Sequence, residues 1–148
     1  MAYLRVHNKG VLWRQEEAEA ATVISPGMLC EIVADARVSY HKLEGGNAER
    51  LIAQEDALQG HGVDTNYAIG DNVQLALAVP GEVFNMLIQS GQAADPGEEV
   101  ISAGDGTLIV IGSQNSAAGT VQTIGRIDPS EPTFTTLAAN TLKAVRLV

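Results

Sequence analysis

The chain of 148 residues holds one cysteine, Cys30, and only 4% aromatic residues. A single cysteine excludes an intramolecular disulfide framework and any multi-cysteine metal site. No apolar run reaches the ~18 residues of a membrane helix, and the start, MAYLRVHNKGVLWRQEEAEA, carries no signal-peptide pattern. A soluble chain made in a cytosol is expected. Positive charge is also scarce. Nine Lys and Arg face eighteen Asp and Glu, a net charge of −9, and residues 51–125 contain no Lys or Arg at all. That balance argues against a protein that grips phosphate backbones, so no nucleic-acid partner is expected, and no membrane partner either. A lipoyl- or biotinyl-carrier role needs a hairpin-tip lysine, and the central stretch offers none.

Hydrophobic residues make up 45%, enough for one domain with a real core. Turn signals are dense: Ser25-Pro26-Gly27, Gly45-Gly46, Gly60-His61-Gly62, Gly70-Asp71, Pro80-Gly81, Asp95-Pro96-Gly97, Gly104-Asp105-Gly106 and Asp128-Pro129. Short apolar runs lie between them, the pattern of an all-β barrel or sandwich. The best strands are Met28–Ala34, Val73–Val79, Thr107–Ile111, Gly119–Ile127 and Thr141–Val148. In Val73–Val79 a large apolar face alternates with a small-residue face expected to point outward. In Thr141–Val148 neither face is cleanly polar, because Lys143 and Arg146 lie on opposite sides; a barrel rim or a subunit contact would explain that. Two segments read as helical. Arg14–Ala21 is rich in helix formers, and Glu82–Ser90 places Val83, Met86, Leu87 and Ser90 at helical spacing. The expected fold is therefore mainly β: a small β-barrel with one short helix, Glu82–Ser90, and an extended N-terminal arm.

The boundaries follow from punctuation. Residues 1–24 lack Gly/Pro turn pairs and carry Tyr3, Leu4, Arg5, Val6, Val11, Leu12, Trp13 and Arg14, an apolar and cationic load on a terminus. Such a load must be buried, on the chain's own barrel or on a partner. Residues 25–148 form the barrel domain. No catalytic constellation is visible. His7, His41 and His61 lack ligand spacing and read as surface or turn histidines, and Cys30 sits inside an apolar run as a core residue. No serine lies in a nucleophile elbow, and Gly104-Asp105-Gly106-Thr107 is a hairpin turn rather than a calcium loop. No enzyme activity, cofactor or metal is expected.

Several segments together resemble a known family. They are Gly45-Gly46-Asn47-Ala48-Glu49-Arg50, Ala53-Gln54-Glu55-Asp56-Ala57-Leu58-Gln59-Gly60, Tyr67-Ala68-Ile69-Gly70-Asp71-Asn72-Val73, Pro80-Gly81-Glu82-Val83-Phe84-Asn85-Met86-Leu87, Ser102-Ala103-Gly104-Asp105-Gly106-Thr107-Leu108 and the closing Lys143-Ala144-Val145-Arg146-Leu147-Val148. In this order they resemble the head decoration, or capsid cement, proteins of tailed bacteriophages. The resemblance implies a structural virion protein on the outer surface of the capsid, made in the host cytoplasm. It implies the phage major capsid protein as partner, with the chain bridging neighbouring capsid subunits and stabilising the expanded head. It also implies self-association, as a homotrimer or alternatively a dimer. The arm residues, Tyr3 to Val6 and Val11 to Arg14, would be the capsid contact. A carbohydrate-binding β-barrel on a virion surface is the alternative, weakened by the few aromatics.

Overall fold

The computed structural model describes residues 5–10, 14–111 and 121–148. Among these residues eleven strands form two sheets. The first contains β2 (Arg14–Glu19), β3 (Leu29–Val33), β4 (Arg37–Tyr40), β5 (Leu51–Ala53) and β6 (Asn72–Leu77), in the order β2-β6-β5-β3-β4. Its edges curl towards each other until a parallel bridge joins Ala20 to Val38. The second contains β1 (His7–Lys9), β7 (Val83–Ile88), β8 (Glu99–Ser102), β9 (Leu108–Val110), β10 (Thr123–Ile127) and β11 (Thr141–Leu147), in the order β1-β7-β11-β10-β8-β9. Here β9 pairs back onto β7 at Leu108 and Ile88, closing a five-stranded barrel. Strand β1 lies against the start of β7, with His7 opposite Phe84.

Each sheet encloses its own core, and the first sheet walls both. Val73 and Leu75 of β6 point into the first core with Cys30, Leu51 and Ala53. The alternate residues Ala76 and Ala78, with Leu29 and Ile52, point into the second core beside Phe84, Met86 and Ile88. The small-residue face of Val73–Val79 is thus not an outer surface. Small side chains there let the second barrel approach closely, and the face is as dry as the other. Strand β5 is buried at every residue for the same reason.

Two glycines stitch the halves. Gly27 donates its N–H to Ala53 and accepts from Leu87 N–H on β7. Its φ is +92°, and a Cβ there would sit 2.5 Å from Leu142 Cδ2. Gly106 accepts from Leu29 N–H and donates to His41, at φ +87°, with space for a Cβ blocked by Tyr40 and Met28. Both positions combine the left-handed region with close approach, so only glycine fits. The side chain of Arg50 completes the seam, donating to the carbonyls of Ala48 (2.9 Å) and Thr123 (2.8 Å).

The mainly β barrel expected from the sequence is the fold. All five expected strands are present, trimmed to β3, β6, β9, β10 and β11, and the Asp105 hairpin joins β8 to β9. The helices are corrected. Glu82–Ser90 is not a helix but strand β7, buried almost throughout, so its apolar residues serve two faces and the helical spacing was incidental. Arg14–Ala21 is strand β2 with its end, paired residue by residue from Arg14 opposite Leu77 to Glu19 opposite Asn72. Tertiary pairing overrides its helix propensity. The described residues include two short 3₁₀ turns, Ala34–Ala36 and Ala57–Gln59, and no α-helix.

The separate arm is also corrected for the residues described. Val6 is fully buried in the second core, and Ala20 and Ile24 in the first. A chain beginning at Ser25 would lose β1, β2 and these three side chains, of which Val6 and Ile24 each contribute ~1.5–3 kcal/mol by burial. Against a total stability of about 5–15 kcal/mol that loss is decisive. The shortened chain should therefore lose its cooperative thermal transition, measured by far-UV circular dichroism.

Candidate functional site

The N-terminal segment meets a group of buried charges at one edge of the second barrel. Val6 donates its N–H to Glu55 Oε2 (2.9 Å) and accepts from Asn85 N–H (2.7 Å). Asn85 Nδ2 donates to the Arg5 carbonyl at 2.8 Å. His7 stands edge-on to Phe84 with ring centroids 5.0 Å apart, and its Nε2 lies 3.8 Å from Glu82 Oε1. Lys9 Nζ reaches Asp128 Oδ2 at 3.7 Å.

Asp128 is 1% exposed and organises this edge. It follows β10 in the turn Asp128-Pro129-Ser130, where its carboxylate accepts from the Ser130 N–H (3.1 Å) and the Ser130 hydroxyl. Arg146 Nη2 of β11 adds a bond at 2.9 Å. Burial pushes the Asp128 pKa up, but the Ser130 hydroxyl and amide, then Lys9 and Arg146, outweigh it and leave the carboxyl below its ordinary 3.8. Nearby, Glu131 accepts from Ala144 N–H at 2.8 Å and lies 3.8 Å from Lys143 Nζ, which sits 5.0 Å over the Phe134 ring. The two cations that spoil the alternation of β11 therefore have partners inside the chain.

Of the expected arm residues, Arg5 is exposed, Val6 buried and Arg14 exposed at the start of β2, where its Nε pairs with Glu16 Oε1 at 2.8 Å. Tyr3, Leu4, Val11, Leu12 and Trp13 lie outside the described residues. Val6 faces the chain's own core, so it is not available to a capsid. His41 also departs from expectation. It is buried, with Nε2 donating to the Asn47 carbonyl (2.9 Å) and Nδ1 accepting from the Ser102 hydroxyl (2.6 Å). The pair has the distance of a nucleophile and its base, but both side chains are sealed from solvent, at 0% and 2% exposure. Cys30 is a core residue, and burial pushes its thiol up to about 12. Among the described residues, no three His, Cys, Asp or Glu side chains converge as a metal site, and no helix is long and apolar enough to cross a membrane.

A cleft of about 890 Å³ opens between the two halves, lined by Asn8, Lys9, Met28, Asn66, Leu87, Asn140 and Lys143 among others. None of its described lining residues is aromatic. Sugar-binding sites favour an aromatic platform, so the carbohydrate alternative gains nothing from it.

The sequence alone does not single out Asp128, Glu131 or Asn85 as polar centres, and it reads His41 as a surface or turn histidine. Asp128-Pro129-Ser130 was visible as a turn, but only the fold brings Arg146 and Lys9 to it.

No protein-family model matches the chain, and no curated protein does. A solved structure shares the fold. The crystal structure of the N base of head fiber gp8.5 of bacteriophage phi29 aligns with a TM-score of 0.55 at 13% identity, covering 91% of this chain and 93% of that one.

Two outcomes follow from the buried groups. The lowered Asp128 pKa adds stability that is complete above its unfolded value near 3.8 and is lost as pH falls through the lower folded value. Asp128→Asn should lower stability by ~1–3 kcal/mol near neutral pH, as expected for a buried acceptor losing charged partners. It should also flatten the acid limb of a urea-midpoint profile against pH. Cys30 should stay unreactive towards Ellman's reagent in the folded chain and titrate fully once the chain is unfolded in guanidinium.

Proposed function

We propose that this chain is a structural protein of a tailed-phage virion, seated on the outer surface of the head and bound to the major capsid protein. The observation that carries the reading is the fold of two sheets around two cores, matched over 91% of this chain by a phage head fiber base. The ordered sequence segments that resemble head decoration proteins support it independently. In this reading the chain performs no catalysis and needs no cofactor. Its work is binding: copies of it bridge neighbouring capsid subunits and brace the expanded shell, each weak contact gaining by repetition on a symmetric surface. Self-association, as a homotrimer or a dimer, belongs to the same reading. The exposed residues Arg5 and Arg14 are the described parts of the expected contact, together with whatever Tyr3, Leu4, Val11, Leu12 and Trp13 add.

The direct test uses heads of the phage that encodes the chain, purified from a mutant lacking it. Purified chain should co-sediment with these heads saturably, at a copy number fixed by the capsid lattice, and raise their resistance to heat. Cryo-electron reconstruction should then show density outside the shell touching more than one capsid subunit. Failure to bind such heads, or absence of the chain from wild-type virions by mass spectrometry, overturns the reading.

A further inference from the structure

The pairing of β2 leaves one side of that strand open. Ala78 N–H bonds to the Arg50 carbonyl and Gln54 N–H to the Gln74 carbonyl, so the even-numbered residues of β6 face β5. Its odd-numbered residues, Val73, Leu75 and Leu77, therefore face β2, opposite Ala18, Glu16 and Arg14. Ala20 N–H bonding to the Asp71 carbonyl continues that parity. The backbone groups of Gln15 and Glu17 must then point the other way, out of the sheet. Strand β4 meets this side only further along, at the Ala20–Val38 bridge and the Ala21 N–H bond to the Val38 carbonyl. It cannot extend back along β2, because it begins at Arg37, just after the turn at Asp35 and Ala36. No described strand pairs with Gln15 or Glu17 on the outer side.

We infer that this open edge of β2 is a docking site for an extended, lysine- or arginine-bearing strand of a different protein, joined by main-chain hydrogen bonds. Charge selects the occupant. Gln15, Glu17 and Glu19 are exposed. A second copy pairing antiparallel about the middle of β2 would set Glu17 against Glu17, a like-charge pair directly opposite, which destabilises a ladder. The acids therefore guard the edge against its own kind, as edge strands need. A cationic strand turns the same side chains into attractive cross-strand pairs while the backbone supplies the affinity. The inference stands on the strand's geometry and is independent of the virion reading.

The test builds the cationic strand into the protein itself. The double variant Glu17→Lys/Glu19→Lys changes only exposed side chains. Mixed with the unmodified chain, it should form a heterodimer at least tenfold tighter than any β2-mediated pairing of either chain alone, seen by sedimentation velocity with one chain labelled and weakened by added salt. Hydrogen exchange should show the Gln15 and Glu17 amides unprotected in the unmodified chain alone and protected in the mixture, with Glu16 and Ala18 protected throughout. Adding Glu17→Pro to the unmodified partner removes the outward N–H without touching the β6 ladder, and should abolish the heterodimer while leaving the fold intact by circular dichroism. Two results overturn the inference: no heterodimer from folded chains, or Gln15 and Glu17 amides already protected in the unmodified chain alone, which would mean the edge is covered. Neither result bears on binding to heads, so the two proposals fail separately.

Discussion

Everything in this molecule depends on a sheet whose centre, at β5 and the adjoining parts of β3 and β6, is dry on both sides. Antiparallel sheets in small proteins commonly bury one face and wet the other. Here β3, β5 and β6 send alternate residues into two different cores. Leu29 and Cys30, neighbours in sequence, belong to separate interiors, as do Ile52 and its neighbours Leu51 and Ala53. A one-residue slip in register would exchange the two sets, placing alanines where leucines are needed. The arrangement therefore fixes register strongly. It also couples the halves, since neither core is closed without the shared wall.

That coupling explains how the N-terminal residues divide. β2 is needed on the first sheet because β6 would otherwise be an exposed edge, and β1 is needed on the second because Val6 plugs its core. Asp128 and its partners belong to the same scheme. A buried carboxylate is costly unless its lone pairs are satisfied. The Ser130 turn supplies local donors, while Arg146 from β11 and Lys9 from β1 supply charge. The ionic group thus ties the N-terminal strand to the last strand of the barrel.

Much of the barrel was legible because turn chemistry is local. Gly104-Asp105-Gly106 announces a hairpin whatever surrounds it, and Thr141–Val148 has the apolar alternation and flanking polar turn of a strand. The segments that misled did so for physical reasons. Val83-Phe84-Asn85-Met86-Leu87-Ile88 is apolar on both faces, and a run that short carries no reliable period. Arg14–Glu19 is polar because it lies on a sheet edge, and polar helix formers in an edge strand look the same as a solvated helix. Local sequence holds no trace of the partner strand β6, which sets Ala76 opposite Gln15 from 61 positions further along the chain. The buried charges were illegible for a similar reason: Asp128, Arg146 and Lys9 acquire meaning only in contact.

The charge imbalance can now be placed in space. Lys9, Arg126, Lys143 and Arg146 are held by Asp128, Glu99 and Glu131, Arg14 by Glu16 on its own strand, and Arg50 is committed to the seam between the halves. Most of the nine cations therefore have partners within the chain, though Lys9, Arg14, Arg126 and Arg146 keep exposed side chains, and the acids outnumber the cations two to one. What remains for the outside is a predominantly negative field. Such a field keeps identical copies apart in solution and draws in cationic surfaces over distances of about a Debye length, ~8 Å at physiological salt. Specific contact must then come from geometry at short range, and the outward backbone of Gln15 and Glu17 on β2 is one place among the described residues where directed hydrogen bonds add to charge.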